Sequence, residues 1–334
     1  MAENSPEKSG SITKKEARRI RMKTMSKAEI SYLRRKEAAE KVFPIFRFVI
    51  LFGLGFVILY PLIYMVSCTF RERSDMNDPT VMWIPRNFTL NVLKETLDAM
   101  GFPRTLVTTL LLNVGCALVQ VISCAVTGYG FARFKFRGQK LLFAVVIMMI
   151  LVPPQVIALP LYSQFRNFGF GDFSVNLIDT PLTMYLPALM GNGIRAGLMI
   201  LIFRQFFKGL PRELEDAAYI DGCGPFRTFV QVMVPNAAAA FLTVFLFSVV
   251  WYWNDYYVSA TFFTDTRTIS LMLRNLDTEL KRRLFDTVSA EISPREQIVW
   301  KEAGCLISIT PLLIMYIFLQ KHFIEGIERS GIVG

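Results

Sequence analysis

The sequence predicts an all-α polytopic membrane protein with six transmembrane helices. Only 19% of its 334 residues are charged and 53% are hydrophobic, whereas soluble chains carry about 25% charged residues. Six long segments hold at most one charge each, and a bilayer core needs roughly 20 apolar residues in a helix. The predicted spans are residues 48–70, 105–132, 141–162, 181–203, 237–264 and 303–320.

The distribution of Lys and Arg predicts that both termini lie in the cytoplasm. Residues 1–47 form a basic tail with thirteen bases and six acids, and residues 133–140, between the second and third spans, hold four bases and no acid. Short cytoplasmic loops are enriched in Lys and Arg. The net charge of +10 is therefore a topology signal and not a sign of nucleic-acid binding. Residues 48–334 form the transmembrane domain, which contacts the lipid bilayer.

Residue types that several kinds of catalysis require are absent from the sequence. The one histidine, His322, cannot by itself build a multi-histidine metal site, and a His-based triad at the end of a span is not expected. No G-x-x-x-x-G-K-[ST] phosphate loop is present, so we expect no ATP hydrolysis by this chain. We predict no catalytic residue, no metal site and no cofactor here, which favours transport over catalysis.

The loop at residues 211–235 carries the most informative pattern. Pro211 and the acids that follow it suit the first turn of a helix, and Gly222 suits the left-handed residue that ends one. Pro225 then begins a second helix, which Pro235 interrupts. The pattern predicts a helix–turn–helix on the cytoplasmic face, of the kind that docks into a partner's groove.

This loop resembles the E-A-A loop of the permease subunits of binding-protein-dependent ABC importers. Asp216, Ala217 and Ala218 stand at the E-A-A positions, Gly222 follows after three residues, and residues 232–235 match the closing I-x-L-P. Asp replaces Glu, and Val replaces Ile and Leu. The spacing of the family pattern is intact.

Four further motifs resemble carbohydrate permeases of the maltose type. Residues 127–133 are similar to the A-x-Y-x-F-A-R that ends the second span, and residues 152–162 to the proline-rich third span. Residues 253–255 match the W-N-D of the fifth span, and residues 320–334 resemble the glycine-containing C-terminal tail. Together the motifs cover nearly all of the chain beyond the basic tail.

The resemblance implies the permease fold of type I ABC importers, in the inner membrane of a bacterium or archaeon, with a sugar or oligosaccharide as solute. It also implies a second, similar permease, two ATPase subunits that bind ATP and Mg, and an extracellular substrate-binding protein. The loop at residues 211–235 is then the coupling loop. The residues that we expect to couple it to the ATPase are Glu215, Asp216, Ala217, Ala218, Asp221, Gly222 and Pro235.

Arg195, Trp253, Asn254 and Asp255 are the candidate residues of a substrate pathway. Arg195 and Asp255 are charges within predicted spans, where ionisable groups are costly and usually functional. Glycines around Arg195 predict a break in the fourth span. The alternatives are a structural hydrogen bond for Asp255, and for Arg195 a contact with free carbonyls, with Asp255 or with an acidic sugar.

The sequence leaves two other functions open. In the first, the chain is a membrane scaffold or assembly subunit that moves no solute. In the second, it is a permease for a non-sugar solute such as glycerol phosphate or for an acidic sugar. The polar segment at residues 266–298, predicted to be external, either contacts the binding protein or is a solvated loop.

Overall fold

A computed structural model of the chain describes residues 26–170, 173–286 and 291–331. Residues 1–25 of the basic tail, and the last three residues of the C-terminal motif, lie outside them. The helices of the first part are α1 (Lys27–Thr69), α2 (Arg73–Met76), α3 (Asn91–Ala99), α4 (Phe102–Arg133), α5 (Gln139–Leu151), α6 (Pro154–Arg166), α7 (Leu182–Leu189) and α8 (Ala196–Gly209). A short antiparallel hairpin between α6 and α7 pairs β1 (Phe168–Phe170) with β2 (Phe173–Val175).

The second part of the chain begins with the coupling loop. Its elements are α9 (Glu213–Ile220), α10 (Pro225–Thr228), one π-helical turn (Phe229–Met233) and α11 (Val234–Asn236). They are followed by α12 (Ala238–Trp253), α13 (Tyr257–Phe262), α14 (Ile269–Arg274), α15 (Leu276–Phe285) and α16 (Pro294–Gly331).

Three helices among the described residues are long and apolar enough to cross a membrane without a break. They are Val42–Thr69 within α1, Phe102–Arg133, and Pro294–Lys321 within α16. The count rises to five if each of two sharply bent helix pairs is one span. The remaining predicted span, residues 181–203, is divided between α7 and α8, so the six predicted spans are not six straight helices.

The third predicted span, residues 141–162, is bent and not continuous. Helices α5 and α6 meet at an angle of 102° around Val152 and Pro153. Proline has no N–H to donate and its ring clashes with the preceding turn, and Val152, as the residue before a proline, is held in an extended conformation with ψ of 120°. Adjacent prolines at 153 and 154 therefore end one helix and begin the next.

The fifth predicted span, residues 237–264, is also interrupted. Helix α12 stops at Trp253 and α13 starts at Tyr257. The carboxylate of Asp255 accepts hydrogen bonds from the backbone N–H groups of Val258 and Ser259 at 3.3 and 2.9 Å. A carboxylate that satisfies the free N–H groups at a helix start stabilises a new helix at that point, so Asp255 divides the span.

The stretch of α1 up to Ile63 forms a unit of its own. Its apolar side chains between Val42 and Leu59 are mostly exposed, with Phe48 and Phe52 each 66% exposed. A helix whose apolar side chains face outward all round is suited to a surrounding of lipid or of other membrane helices.

Helix α4 lies at the centre of the unit that begins at Tyr64. It packs against α7, α8 and α12. The buried side chains at this centre include Cys124, Met199, Phe203, Phe207 and Met233. The central position of α4 lets it contact both the coupling loop and the break between α7 and α8.

A second core lies under the segment that the sequence predicts to be external. Leu276 and Leu280 of α15 are fully buried with Trp300 of α16 and Met100. Residues 266–298 are thus largely folded into α14, α15 and the start of α16, and the alternative of a solvated loop is wrong for the described part.

Asp179 ties the segment before α7 to the segment after α13. It adopts a left-handed φ of 63°, which Asp tolerates better than most residues. One carboxylate oxygen, Oδ1, accepts the backbone N–H groups of Thr264, Asp265 and Thr266 at 3.1, 3.2 and 3.0 Å. Burial alone would raise the pKa of this carboxyl, but the hydrogen bonds from 264–266 outweigh it and lower the pKa below its ordinary value of 3.8.

We predict that Asp179→Ala loosens residues 264–266 without unfolding the membrane core. Loss of hydrogen bonds to a charged group costs roughly 2 kcal/mol, so amide hydrogen exchange at these residues should accelerate by more than tenfold. Because the pKa of Asp179 is lowered in the folded state, its contribution is present above about pH 4 and is lost as the pH falls through the folded pKa. Asp265→Ala is the matched control, since the side chain of Asp265 is exposed. Equal exchange in both variants would contradict the assignment.

Candidate functional site

The first helix of the coupling loop is α9, and its position follows from the sequence around it. Glu213, Glu215 and Asp216 stand in its first turn, where negative charge meets the positive end of the helix dipole. Gly222, with φ of 80°, turns the chain after the helix ends. Among the described residues, apart from the two chain neighbours of Gly222, nothing lies within 4 Å of a Cβ built on it, so backbone conformation alone favours glycine there.

The second half of the loop is not a regular helix. Pro225 begins α10, as the sequence predicts, but the next turn is a π-helix, Phe229–Met233. The chain through Asn236 then meets α12 at an angle of 80°. A π-turn widens the helix by one residue and is frequent at functional sites.

Glu215 is buried against α4 and does not point to solvent. The hydroxyl of Tyr129 donates a hydrogen bond to its Oε1 at 2.6 Å, and Nε of Arg133 lies 3.2 Å from its Oε2. A terminal N–H of Arg133 also donates to the carbonyl of Leu210 at 2.8 Å. We name Tyr129, Arg133 and Glu215 the loop anchor, because they join the coupling loop to the end of α4.

The other predicted coupling residues occupy two environments. Ala218 is buried, which agrees with the close packing that its small side chain allows. The exposed members are Asp216, Ala217, Asp221, Gly222 and Pro235.

The loop also exposes apolar side chains that are not among the predicted coupling residues. Ile220 is 86% exposed and Phe226 is 80% exposed. They stand on either side of the Gly222 turn and we name them the loop patch. The signal was available in the sequence, because an Ile and a Phe flank a polar turn of a predicted cytoplasmic loop. Two exposed apolar side chains beside one turn form a candidate docking surface.

A cavity of about 380 Å³ lies beside the break between α7 and α8. Residues of α5, α6, α8 and α13 line it, mostly with apolar side chains. Among its described lining residues the charged one is Arg195, whose guanidinium lies 4.7 Å from the ring centre of Trp251. Asn192, Thr183 and Tyr257 add polar atoms to the lining.

The chain at this break is held by a buried polar network. The peptide N–H of Ile194 donates to the hydroxyl of Tyr252 at 3.3 Å, and its carbonyl accepts a hydrogen bond from Nε2 of Gln120 at 3.0 Å. The Tyr252 hydroxyl donates to Oε1 of Gln120 at 2.7 Å. A Cβ on Gly193 would overlap both side chains, so only glycine permits this approach. We name Gln120, Tyr252 and the Ile194 peptide the break clamp.

The structure separates the four predicted pathway residues. Arg195 lines the cavity, and the sequence correctly predicts the break that carries it. Trp253 is buried and its indole N–H donates to the carbonyl of Ser308 at 3.1 Å. The side chain of Asn254 is exposed and donates to the carbonyl of Val250, and Asp255 starts α13. Neither Asp255 oxygen pairs with Arg195 in the described interactions.

Comparisons with known proteins identify the family. Residues 125–329 match the family described as "Binding-protein-dependent transport system inner membrane component". The chain is 27% identical to Protein LplC of Bacillus subtilis, over 92% of this chain and 100% of that protein. It is 24% identical to an arabinooligosaccharides transport system permease protein, AraQ, of Halalkalibacterium halodurans, over 88% and 99%.

A solved structure agrees with the fold. The crystal structure of a bacterial ABC transporter involved in the import of the acidic polysaccharide alginate superposes with a TM-score of 0.68 at 20% identity, over 85% of this chain and 98% of that one. The family match covers more than half of the chain, including the coupling loop and two members of the break clamp, Ile194 and Tyr252. The chain is therefore a member of the family of inner membrane components of binding-protein-dependent transport systems.

Proposed function

We propose that this chain is a permease subunit of an ATP-driven importer that moves a sugar or oligosaccharide into the cytoplasm. Family membership makes it a transport subunit rather than an enzyme. The similarity to a permease named for arabinooligosaccharides supports a sugar as the solute. Neither a scaffold role nor a non-sugar solute is favoured by these relatives.

The proposed partners are a second permease, two ATPase subunits and an extracellular substrate-binding protein. ATP and Mg bind to the ATPase subunits, which hydrolyse the nucleotide. Both termini lie in the cytoplasm, as the Lys and Arg distribution predicts, and the coupling loop then faces the ATPases.

One observation carries the proposal of coupling most directly: the loop patch is exposed while the loop behind it is firmly held. Ile220 and Phe226 offer apolar surface at the tip of a loop that the anchor fixes at its base. Apolar anchors on short helices that enter a groove are a common way for proteins to dock. Glu215 acts here as a positioning residue for the loop, and the exposed Asp216 and Asp221 are the acids left to meet a basic partner.

We predict that the double substitution Ile220→Asp and Phe226→Asp weakens binding of the ATPase subunits by at least tenfold. Each buried apolar anchor contributes about 1.5–3 kcal/mol, and two new charges would be desolvated in the groove. Co-purification from membranes and ATP-driven sugar uptake in proteoliposomes are the two readouts. Gln231→Glu is the control for added charge, because Gln231 is exposed and its side-chain oxygen, which Glu keeps, accepts a hydrogen bond from Arg227.

This proposal fails if the double variant retains its ATPase subunits and its uptake. It also fails if the wild-type chain, purified alone, moves sugar across a membrane without ATPase subunits.

We predict that Gly222→Val uncouples ATP hydrolysis from uptake. A side chain at a left-handed φ costs about 1–2 kcal/mol, and Val is branched at Cβ, so the native turn loses roughly tenfold in population relative to other conformations of the loop. Uptake per ATP hydrolysed should fall severalfold in proteoliposomes while the chain still folds.

Two control variants distinguish the effect of backbone conformation at this turn from the effect of side-chain size. Gly222→Asn should retain coupling, because Asn adopts left-handed conformations readily. Gly224→Val should also retain it, since Gly224 has a φ of −76° and nothing within 4 Å of a Cβ. Unaltered coupling in Gly222→Val would contradict the role of the turn.

A further inference from the structure

We propose that the solute is an acidic sugar and that Arg195 binds its carboxylate within the cavity. This inference rests on the proposed function, because it names the class of sugar that the importer carries. It assigns a binding role to one residue of this chain, separate from the selectivity of the binding protein.

The charge of the cavity is the first argument. Arg195 is the charged side chain among the described residues that line it, and no carboxylate of the described chain lies within ion-pair distance. Asp255, just beyond the end of α12, has its oxygens occupied by the backbone N–H groups of Val258 and Ser259. An arginine in a membrane segment is costly and normally has an anionic or polar partner. Since no carboxylate of the described chain takes that place, the solute supplies the anion.

The orientation of the guanidinium is the second argument. Its carbon lies 4.7 Å from the centre of the Trp251 ring, so the cation is held by the ring through its electrostatic attraction. A cation–π contact occupies no N–H donor. Arginine presents its donors as a planar fork that matches the two oxygens of a carboxylate.

The backbone of Arg195 is the third argument. Its φ of 58° is a left-handed conformation that disfavours side chains, and a glycine would adopt it without strain. Strained residues persist where the surrounding structure holds them, and they cluster at ligand sites. The break clamp holds the adjacent Ile194 peptide from both sides, so the backbone that carries Arg195 is held in this conformation.

The rest of the cavity suits the body of a sugar. Its volume of about 380 Å³ lies within the range of small-molecule sites. Tyr257 and Phe262 contribute aromatic side chains, and Asn192 and Thr183 contribute polar groups. The apolar C–H faces of a sugar ring pack on aromatic rings, while a few polar groups set its orientation.

The test is equilibrium binding to the complete importer complex in nanodiscs of neutral phosphatidylcholine, without the binding protein. The probes are radiolabelled trisaccharides of galacturonate, glucuronate and mannuronate, each paired with its carboxyl-reduced counterpart. We expect at least one acidic probe to bind about tenfold more tightly than its reduced form, because a charge-assisted hydrogen bond contributes about 1.5–3 kcal/mol.

Substitutions test whether Arg195 causes the preference for the acidic sugar over its reduced form. Arg195→Gln keeps the same backbone strain but should abolish the preference, while affinity for the reduced sugar stays unchanged. Arg195→Lys should retain part of it. Arg104→Gln, an exposed arginine outside the cavity, is the matched control for loss of a positive charge and should behave as wild type.

Two results would overturn the inference: equal affinity for acidic and reduced sugars in the wild type, or a preference that survives in Arg195→Gln. Binding of none of the probes would also overturn it. Uptake by the complete importer with its binding protein in proteoliposomes separates the two proposals. ATP-driven uptake of a neutral sugar alone would leave the sugar importer standing and remove the acidic-sugar inference, whereas uptake of a non-sugar solute alone would remove the proposed function itself.

Discussion

The buried carboxylate of Glu215 is the interaction on which the proposed coupling depends. A carboxylate taken out of water is strongly destabilising unless it is paired and hydrogen-bonded, and Tyr129 and Arg133 supply both partners. Their contacts join α9 to the end of α4, although Tyr129 and Glu215 are 86 residues apart in the chain. A force on the loop patch therefore acts on α4, because separating the two would expose or orphan a buried charge.

Helix α4 carries the same connection into the membrane. Gln120 lies nine residues before Tyr129, about 14 Å along the helix axis, and it holds the Ile194 peptide in the break clamp. One continuous helix thus contacts the coupling loop at one end and the chain next to Arg195 further along. In the proposed importer, ATP-driven closure of the ATPases moves the coupling loop, and α4 carries that movement to the cavity as a rigid element.

The sequence predicts the coupling loop, its Gly222 turn and the break at Arg195, because each has a local signal in charge, glycine or proline. It locates the apolar segments, but among the described residues three of the six predicted spans are unbroken helices. The burial of Glu215 has no such signal. Glu213, Glu215 and Asp216 are neighbours on one helix, and only contact with α4 decides which faces inward. Likewise Asp255 looks like a pathway charge until its backbone partners are known. The 102° bend between α5 and α6 depends on packing around Pro153 and Pro154, because the prolines end one helix and begin the next without fixing the angle between them.

The most direct test of the central claim is the accessibility of a cysteine at Asn192, which lines the cavity. The importer complex, with Cys223 and Cys305 replaced by Ser, is labelled with a membrane-impermeant maleimide in the presence and absence of ATP. The account predicts an ATP-dependent change in labelling rate that Tyr129→Phe, which removes one hydrogen bond of the loop anchor, strongly reduces. An ATP-dependent change that is the same in both chains, or no change in either, would contradict it.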